Sequence, residues 1–540
     1  MEFAFDAKFR NYAGGLGVLA ADMMHSCADM SIPAVGVSLI YHKDDNPEKA
    51  LNFEKYMKRL SITVDVQVED RPVKVGVFEY TVKSDIGKSL PVYFLTTYLP
   101  ENKRWDRDLT KFLYAGDEYT RIGQETILGI GGVKMLRALG YNHIEKFHMN
   151  EGHSAFLTFE LLKECAYHDA DVRKMCTFTT HTPIPAGHDY FDYHLAERVL
   201  TSILPWHIKN IATSDRLSMT HLALNLSEKV NSVSEKHNEV CHQMFPEYSF
   251  ENITNGIHHL TWISDSMAKL FDSSFLHWRE RPSELCDAEN TLSGEKVWQA
   301  HQKNKKELVK WINEHPEYYI FSPEKYKEDF FDENTLTIAF ARRFVPYKRP
   351  TLIFRDIDRL RELGYRKIQM VFSGKCYEFD QFCNWQKGNL QKFEKMLRGQ
   401  IRIAVISDYN VDIAQKLISG ADMWLNNPVR PLEASGTSGM KAALNGLLNI
   451  SVLDGWWIEG FALNPMAGWG FGEKSNGLDE NSRDNMDAHE LYENLTDAVN
   501  CYYHRPEEWR KRMKAAISLI HYFNTNRCVE EYMKKMWSFA

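Results

Sequence analysis

Residues 14–42 read GGLGVLAADMMHSCADMSIPAVGVSLIYH, and this stretch decides the fold class. Its glycine-rich start predicts a turn, residues 18–31 have the pattern of a helix, and the apolar run PAVGVSLIYH (33–42) predicts a buried strand. A turn, a helix and a buried strand in this order form the opening of an α/β unit. We therefore predict an α/β protein.

Elements of the same kind continue through the first half of the chain. Segments 61–69 and 73–83 alternate apolar and polar residues, which predicts a hairpin beside the main sheet. A helix is predicted over 117–140, followed by strands over 147–150 and 175–182. Together these elements predict a Rossmann-like N-terminal domain over residues 1–256.

A second α/β series begins beyond a polar, helix-like connector over 263–320. Its predicted elements are the strands TLTIAFA (335–341), IQMVFSG (368–374) and IRIAVIS (401–407), and a helix over 350–363. Two such series joined by a helical connector predict two Rossmann-like domains that face each other across a cleft. The second domain is expected over 257–505, and the helix-like segment 506–540 is expected to pack back on the first domain.

Composition and charge exclude several classes of function. Of the 540 residues, 44% are hydrophobic and 26% are charged, with a net charge of −8, which is typical of a globular protein rather than a basic nucleic-acid binder. No apolar stretch approaches the roughly 18 residues that cross a bilayer, and MEFAFDAKFRNY lacks the pattern of a signal peptide. Nine scattered cysteines without CxxC spacing favour reduced thiols. We therefore expect a cytoplasmic protein with neither nucleic acid nor membrane as a partner.

The densest chemical signal is EASGTSGMK (433–441), which follows the predicted strand ADMWLNN (421–427) and opens a helix. Small residues let backbone N–H groups approach an anion, and the helix dipole favours negative charge there. Lys441 would lie one turn inside that helix. An ATP-binding P-loop is rejected because Met440 and Ala442 flank this lysine instead of Gly and Ser or Thr. An ordinary strand-to-helix turn with a surface lysine remains an alternative on spacing alone.

A second signal is RRFVPYKR (342–349), which directly follows the strand TLTIAFA. Four cations in eight residues stand at the carboxyl end of a parallel strand, where such folds bind ligands. Arginine offers a fork for phosphate and lysine a point charge. The segment therefore predicts an anion site, and a solvated basic loop is the alternative.

Histidine pairs recur in three predicted loops, HMNEGHS (148–154), HTPIPAGH (181–188) and NGIHH (255–259). Their spacings match no metal motif, so no metal site is predicted. Polar loops, or hydrogen bonds to a hydroxyl-rich substrate, fit them better. Asn255 lies in an Asn-Gly turn at the apparent domain boundary, where its amide could bind a ligand.

Eight segments in order resemble those of α-glucan (glycogen, starch and maltodextrin) phosphorylases of the short prokaryotic type. They are GGLGVLAAD, LGIGGVKMLRALG, HMNEGHSAF, THTPIPAGHD, NITNGIH, ARRFVPYKR, SDYNVDIAQKLISGAD and EASGTSGMKAALNG. The resemblance implies a GT-B type glycosyltransferase fold and pyridoxal 5′-phosphate as cofactor. It implies reversible phosphorolysis of α-1,4-glucan chain ends by inorganic phosphate, which gives α-D-glucose 1-phosphate with retention. A homodimer is expected by analogy.

The resemblance also implies roles for residues of this sequence. Lys441 would form the Schiff base with the cofactor. The cofactor phosphate is expected to contact Arg342, Lys348, Thr437 and Ser438, and the cofactor ring Gly15, Tyr409 and Trp262. The substrate phosphate is expected to contact Arg343, Lys348 and the backbone of Gly14, Gly15, Leu16 and Gly17. The glucosyl hydroxyls are expected to contact Glu433, Ser435, Gly436, Tyr347 and Asn255. The backbone carbonyl of His181 is expected near the anomeric carbon.

Three alternatives compete with this interpretation. A glycogen-synthase-type transferase would use a nucleotide sugar, but many such enzymes carry a second Glu eight residues after the first, where Lys441 stands here. A catalytically silent carbohydrate-binding relative is the second, and its support is that Met1–Phe3 aligns with the end of the family's first strand. An aminotransferase with the same cofactor is the third, and it leaves the two α/β series unexplained.

Overall fold

The computed structural model describes residues 1–5, 11–42, 53–114, 116–319, 330–375, 380–407 and 409–538. The chain forms two compact units. The first consists of Met1–Thr254 together with Asn526–Ala540, and the second of Asn255–Thr525.

The first unit alternates strands and helices as predicted. Its strands are β1 (Gly36–Leu39), β2 (Lys58–Val68), β3 (Arg71–Val82), β4 (Leu90–Thr96), β5 (Phe147–Asn150), β6 (Cys176–Thr179), β7 (Tyr190–Phe191), β8 (Leu217–Ser218), β9 (Lys229–Ser232) and β10 (Glu251–Asn252). Its helices before the second unit are α1 (Gly15–Asp29), α2 (Arg104–Asp108), α3 (Glu118–Ala138), α4 (Leu157–Glu164), α5 (Asp169–Met175), α6 (Tyr193–Leu200), α7 (Ile208–Ile211), α8 (Met219–Asn225) and α9 (Glu235–Met244).

Two four-stranded sheets carry the first unit. One has the order β10-β9-β6-β5, and all of its pairs are parallel. The other has the order β1-β4-β3-β2, in which β1 pairs with β4 in parallel and the remaining pairs are antiparallel. The predicted hairpin is therefore confirmed as β2 and β3, and it forms the outer part of a sheet that β1 and β4 complete.

Helix α3 lies at the centre of the first unit, and it begins where the sequence predicts. The Asp117 carboxylate accepts a hydrogen bond from the Thr120 N–H at 2.7 Å and caps the helix. Ile122, Ile127 and Ile130 are buried in the main hydrophobic core of this unit. A Cβ on Gly129 would lie 2.5 Å from the Leu157 nitrogen, so glycine lets α3 approach the start of α4.

The second unit is a six-stranded parallel sheet with helices around it. Its strands are β11 (Leu336–Ala341), β12 (Ile368–Ser373), β13 (Arg402–Ile406), β14 (Met423–Asn426), β15 (Leu448–Val452) and β16 (Gly468–Phe471). Its helices are α10 (His259–Trp262), α11 (Asp265–Asp272), α12 (Ala288–Thr291), α13 (Gly294–Glu314), α14 (Ile357–Gly364), α15 (Gln381–Leu397), α16 (Val411–Gly420), α17 (Ser438–Leu444), α18 (Trp456–Leu463), α19 (Glu480–His504) and α20 (Pro506–Ser518).

The strand order of this sheet is β13-β12-β11-β14-β15-β16, with every pair parallel. The chain thus starts in the middle with β11, moves outward to β13 and then returns to β14 on the other side. This is the order of a Rossmann fold, and its topological switch point lies between β11 and β14. Ligands of such sheets bind outside the carboxyl ends of the strands at that point.

The predicted helix over 350–363 is wrong at its start. The structure begins the helix at Ile357, because the carboxylate of Asp356 accepts the Arg359 N–H at 2.9 Å and caps the first turn there. The residues before it form a short 3₁₀ turn over Leu352–Phe354.

The C-terminal segment divides between the units. Helix α20 belongs to the second unit, so the expectation that the whole of 506–540 packs on the first domain differs from the structure. The chain rejoins the first unit at Asn526 through α21 (Thr525–Tyr532) and a π-helical turn (Met533–Trp537). The Tyr532 hydroxyl accepts a hydrogen bond from Asn231 Nδ2 at 3.0 Å and lies 3.2 Å from Thr179 Oγ1. Tyr532 thereby joins the segment to β6 and β9.

We expect the variant Tyr532→Phe to unfold at a lower temperature than the wild type. It loses two buried hydrogen bonds, which costs about 1–2 kcal/mol and about 2–4 °C in the midpoint of thermal unfolding. Calorimetry measures this shift. Tyr98→Phe is a matched control because Tyr98 is exposed in the same unit, and equal shifts for both variants would contradict the role of Tyr532.

Within the described ranges, the structure contains no helix that combines the length and the apolar character of a membrane span. Among the residues that the structure describes, seven cysteines are free thiols, as the sequence pattern favours, whereas Cys383 is disulfide-bonded, which the pattern did not predict.

Candidate active site

The basic segment 342–349 and the glycine-rich segment 433–441 meet at the switch point of the second unit. Arg342 directly follows β11, and Glu433 follows β14. Because these strands are neighbours and parallel, their carboxyl ends bring both segments to the same edge of the sheet.

A buried ion cluster forms there from Arg342, Lys348 and Glu433, which we name the Glu433 cluster. Arg342 Nη2 donates to Glu433 Oε2 at 2.8 Å, and Lys348 Nζ donates to the same oxygen. Each of the three side chains is at most 10% exposed. A solvated basic loop is therefore wrong for Arg342 and Lys348, whereas Arg343 is exposed.

The charges of this cluster shift the pKa values of its members. Burial alone would raise the pKa of Glu433, but the charges of Arg342 and Lys348 outweigh it and lower the pKa to about 2. Burial, followed by the charge of Arg342, lowers the pKa of Lys348 to about 7 despite its bond to Glu433. The cluster therefore holds a carboxylate that stays ionised at neutral pH and a lysine whose pKa lies near neutral pH.

Several hydrogen-bond donors near the Glu433 carboxylate have no partner among the described residues. Arg342 Nε and Nη1 are buried, and the described part of the chain offers them no hydrogen-bond partner. Ser435 Oγ is buried and likewise has no partner among the described residues. Buried polar groups are rarely left unpaired in proteins. A guanidinium with two nitrogen donors available suits an oxyanion such as phosphate.

Lys441 is buried in the first turn of α17. The alternative of a surface lysine is therefore wrong. Its Nζ lies 3.7 Å from the ring centroid of Trp262, a cation–π contact. Asn445, one turn later, donates through Nδ2 to the carbonyls of Lys441 (3.0 Å) and Trp262 (2.9 Å). The side-chain amide of Asn445 thus fixes the helix and the tryptophan to each other.

The start of α17 is anchored separately. Trp424 Nε1 donates to Ser438 Oγ at 3.1 Å, so a strand residue of β14 holds the first helical residue. Thr437 precedes this residue as the N-cap, and the Lys441 N–H donates to the Thr437 carbonyl at 3.2 Å. These contacts place the residues predicted to hold a phosphate at a helix N-terminus.

The loop between β14 and α17 adopts a conformation that glycine permits. Gly436 has a φ of +75°, which side chains other than glycine rarely adopt. A Cβ at this position would lie 3.2 Å from Glu433 Oε1. The Ser435 carbonyl accepts the Trp456 N–H at 2.9 Å. The loop therefore turns tightly around the Glu433 carboxylate.

Tyr347 lies next to the same cluster. Its backbone carbonyl accepts the Val429 N–H at 2.7 Å, and its ring centroid lies 4.4 Å from Lys348 Nζ. Burial, followed by the charge of Glu433, raises the pKa of the Tyr347 hydroxyl. Tyr347 is therefore a neutral hydrogen-bonding group at this edge.

In the first unit, the predicted glycine segment opens α1. The Glu2 carboxylate accepts the Ala13 N–H and, at 3.4 Å, the Gly14 N–H. A Cβ on Gly17 would lie 2.9 Å from the Glu2 side chain, so this glycine allows the close approach. Gly15 is exposed, with no atom within 4 Å of a Cβ placed on it, and Leu16 follows it half-buried.

His181 is held by the end of β5 in the first unit. Its backbone N–H donates to Glu151 Oε2 at 2.8 Å, and its Nε2 lies 2.7 Å from Asn150 Oδ1. Glu151 has a φ of +80°, and the Thr182 hydroxyl also donates to its carboxylate at 2.9 Å. Burial lowers the pKa of His181 to about 3, so its imidazole is neutral.

The predicted site residues thus divide between the units. The second unit joins Arg342, Lys348, Glu433 and Tyr347 through direct contacts and pairs Lys441 with Trp262. In that unit Asn255 is buried before α10, and Tyr409 lies between β13 and α16. The glycine segment Gly14–Gly17 and His181 belong to the first unit. The described residues contain no group of three His, Cys, Asp or Glu side chains that could hold a metal ion.

Four residues with a supporting position escaped the sequence analysis: Glu2, Glu151, Asn445 and Asp454. Glu151 comes directly after the predicted strand 147–150, so a search for polar residues at the carboxyl ends of strands would have identified it. Asp454 follows β15, a strand that the sequence analysis did not predict. Asn445 shares a helix face with Lys441, four residues earlier. Glu2 carries no such signal, because no sequence pattern links it to residues 13 and 14, whose N–H groups its carboxylate accepts.

The two α/β units and the anion-suited switch point are those of a GT-B type glycosyltransferase. Residues 206–497 match the family model described as carbohydrate phosphorylase, and residues 9–256 match that of the starch synthase catalytic domain. The phosphorylase match contains the Glu433 cluster and Lys441. The starch synthase match lies before both.

Curated relatives agree with the phosphorylase match. The chain is 35% identical to maltodextrin phosphorylase of Thermococcus litoralis, over 100% of the chain and 70% of the relative. It is 32% identical to glycogen phosphorylase of Aquifex aeolicus, over 98% of the chain and 84% of the relative. It is also 32% identical to glycogen phosphorylase of Mycobacterium tuberculosis, over 96% of the chain and 68% of the relative. The chain therefore belongs to the carbohydrate phosphorylase family.

Proposed function

We propose that the chain is an α-glucan phosphorylase with pyridoxal 5′-phosphate as its cofactor. It transfers a glucosyl unit reversibly between an α-1,4-glucan chain end and inorganic phosphate, and the product is α-D-glucose 1-phosphate with retained configuration. The observation that carries this proposal is the Glu433 cluster, in which two Arg342 nitrogens have no hydrogen-bond partner among the described residues, next to a helix that holds Lys441 buried. The names of the relatives support the substrate class.

The residues of the second unit fit the cofactor. Lys441 would hold it covalently, and the Trp262 ring already in contact with Lys441 suits an aromatic neighbour. The free N–H groups of Arg342 and the helix start at Thr437 and Ser438 suit its phosphate. When bound, the cofactor supplies a phosphate group that serves as the proton partner of the substrate phosphate.

The cations of this chain then make phosphate binding favourable. Two phosphates held close together repel each other, and Arg342, Arg343 and Lys348 supply the opposing charge. Arg343 is exposed, so its fork is open to an incoming anion. Glu433 fixes Arg342 and Lys348 in place and leaves the outer N–H groups of Arg342 available.

The glucosyl unit meets the loop that carries Glu433. Glu433, Ser435 and Gly436 lie in one tight turn. The Ser435 hydroxyl has no partner in the described part of the chain and offers a hydrogen bond to a sugar hydroxyl. Tyr347 and Asn255 would complete the set of glucosyl-binding residues in this unit. Because phosphate itself is the nucleophile, the paired carboxylates of a retaining hydrolase are not needed.

A cytoplasmic homodimer is expected from the family resemblance. Sedimentation of the purified protein tests the dimer, and cell fractionation tests the location.

Phosphate-dependent product formation tests the proposed reaction. Purified protein supplied with the cofactor is incubated with maltodextrin, with and without inorganic phosphate, and α-D-glucose 1-phosphate is measured. Product that depends on phosphate supports the proposal. Glucan elongation from a nucleotide sugar, without phosphate-dependent product, would instead identify the synthase-type alternative, and glucan binding without turnover would identify a silent relative.

Phosphate affinity is expected to fall as pH rises. Lys348 has a pKa of about 7, so it loses its charge as pH rises through that value and binds phosphate less well. We expect the KM for phosphate to rise about five- to tenfold between about pH 6 and pH 9. In Lys348→Arg the positive charge persists, and this rise should be much smaller. Steady-state kinetics across this pH range measures it.

The control for that series is Lys395→Ala, which removes an exposed lysine of α15 and should reproduce the wild-type profile. Parallel profiles for the wild type and Lys348→Arg would contradict a titrating Lys348.

A further inference from the structure

We propose that Asp454 is a positioning residue that fixes the backbone of the loop Glu433–Gly436 for glucosyl binding. This inference rests on the proposed function for the ligand of the loop, while its geometry belongs to the structure alone. Asp454 stands two residues beyond β15 and is buried, with 2% of its surface exposed.

The Asp454 carboxylate joins two segments of the chain. Its Oδ2 accepts the backbone N–H of Glu433 at 2.9 Å, and its Oδ1 accepts the backbone N–H of Gly455 at 2.9 Å. One oxygen thus holds the loop after β14, and the other holds the turn after β15. Such charge-assisted bonds to backbone N–H groups are stronger than neutral ones.

A second link joins the same two segments. The Trp456 N–H donates to the Ser435 carbonyl at 2.9 Å. Gly455 between the two links has a φ of +53°, and a Cβ on it would lie 2.3 Å from the Ser435 oxygen. Glycine is therefore required for this close approach. The turn 454–456 holds the loop at Glu433 and again at Ser435.

The bonds from Asp454 and Trp456 explain how the loop Glu433–Gly436 keeps its polar groups in place when no ligand is bound. The Glu433 side chain is fixed by Arg342 and Lys348, and its backbone is fixed by Asp454. The Ser435 hydroxyl stays buried without a partner among the described residues, and the carbonyl of the same residue is held by Trp456. Loss of the Asp454 carboxylate would leave the Glu433 N–H buried and unsatisfied, and the loop would shift to satisfy it.

The ionisation of Asp454 makes this support dependent on pH. Burial and the charge of Glu433 raise its pKa to about 7, although the N–H groups of Glu433 and Gly455 and the charge of Arg430 oppose the shift. Arg430 is itself paired with Glu473 at 3.8 Å. Above pH 7 the carboxylate accepts both bonds. As pH falls through 7, one oxygen takes a proton, and its bond weakens.

The variant Asp454→Asn tests the proposal. It keeps the size and one acceptor of the side chain but turns an amide N–H toward one backbone N–H. At about pH 8 we expect the KM for glucose 1-phosphate, measured in the direction of glucan synthesis, to rise about tenfold, with a smaller change in kcat. The difference from the wild type should shrink toward pH 6, where Asp454 is protonated. The cofactor absorbance should be unchanged.

Asp356→Asn is the matched control, because Asp356 caps α14 away from this loop and Asn is also a good cap. It should leave the KM unchanged at every pH. A KM for Asp454→Asn that equals that of the wild type at pH 8, or a difference that does not shrink on acidification, would overturn the proposal.

Hydrogen exchange tests the same support without any substrate. After correction for intrinsic rates, peptides that cover 431–437 should exchange faster in Asp454→Asn than in the wild type, and faster in the wild type at pH 6 than at pH 8. Peptides from α19 should be unaffected. The comparison of the wild type at pH 6 and pH 8 does not depend on whether the variant folds. Unchanged exchange in this loop overturns the proposal even where phosphorolysis is observed, and absent phosphorolysis with altered exchange locates the failure in the proposed function.

Discussion

Replacement of Lys441 by alanine is expected to abolish phosphorolysis and the absorbance of bound cofactor together. Lys441 is buried, and its amine is the group that would hold the cofactor. Alanine removes that amine but leaves α17 in place, because Asn445 Nδ2 still donates to the backbone carbonyls of residue 441 and of Trp262. The fold loses the cation–π contact with Trp262, worth about 1–2 kcal/mol. Absorbance spectra, activity assays and circular dichroism measure the three quantities.

Two further variants sharpen this test. Lys441→Arg keeps a cation beside Trp262 but cannot form the covalent link, so it should be inactive with near-normal stability. Lys395→Ala removes an exposed lysine from α15 and should keep both cofactor and activity. Wild-type spectra and turnover in Lys441→Ala would refute the role of this lysine.

Replacement of Glu433 by glutamine is expected to reduce both stability and activity. The amide leaves the buried charges of Arg342 and Lys348 uncompensated, which costs about 3–5 kcal/mol of unfolding free energy. Activity should fall about 10²- to 10³-fold, because the cations shift and a charged hydrogen-bonding group at the glucosyl loop is lost. Denaturant unfolding and steady-state kinetics measure the two effects.

The difference in unfolding free energy between the wild type and Glu433→Gln should also depend on pH. The pKa of Glu433 is lowered from 4.5 to about 2 in the folded protein, so its stabilising contribution is fully present above about 4.5 and is lost as pH falls through 2. The wild type and Glu433→Gln should therefore approach each other in stability on acidification. Glu362→Gln, at an exposed position of α14, is the control. A constant gap across this pH range would show that Glu433 does not act as a paired carboxylate.

The sequence predicts the architecture of the second unit well, because its strands are continuous apolar runs. TLTIAFA, IQMVFSG and IRIAVIS coincide with β11, β12 and β13 to within one residue at each end. Such runs are typical of strands buried on both faces. The predicted start of α14 failed because the Asp356 cap lies inside a segment with no other break in its helical pattern.

The chemistry of the site was predictable only in part. Arg342, Lys348 and Glu433 could be named from local motifs and the family resemblance, but the bond that joins them spans 85 or more residues of sequence. Asp454 shows the same limit, since its contact with Glu433 exists only because β14 and β15 are neighbours in the sheet. Periodicity describes each strand separately and does not describe which loops meet.

The return of residues 526–538 to the first unit has a consequence for synthesis on the ribosome. The 271 residues from 255 to 525 are translated before Tyr532. At about 5–20 residues per second, they delay it by about 15–55 seconds. During that interval the nascent first unit exposes Asn231 and Thr179 without the tyrosine that later covers them. Translation order therefore means that the first unit cannot complete its fold until the second unit has been synthesised.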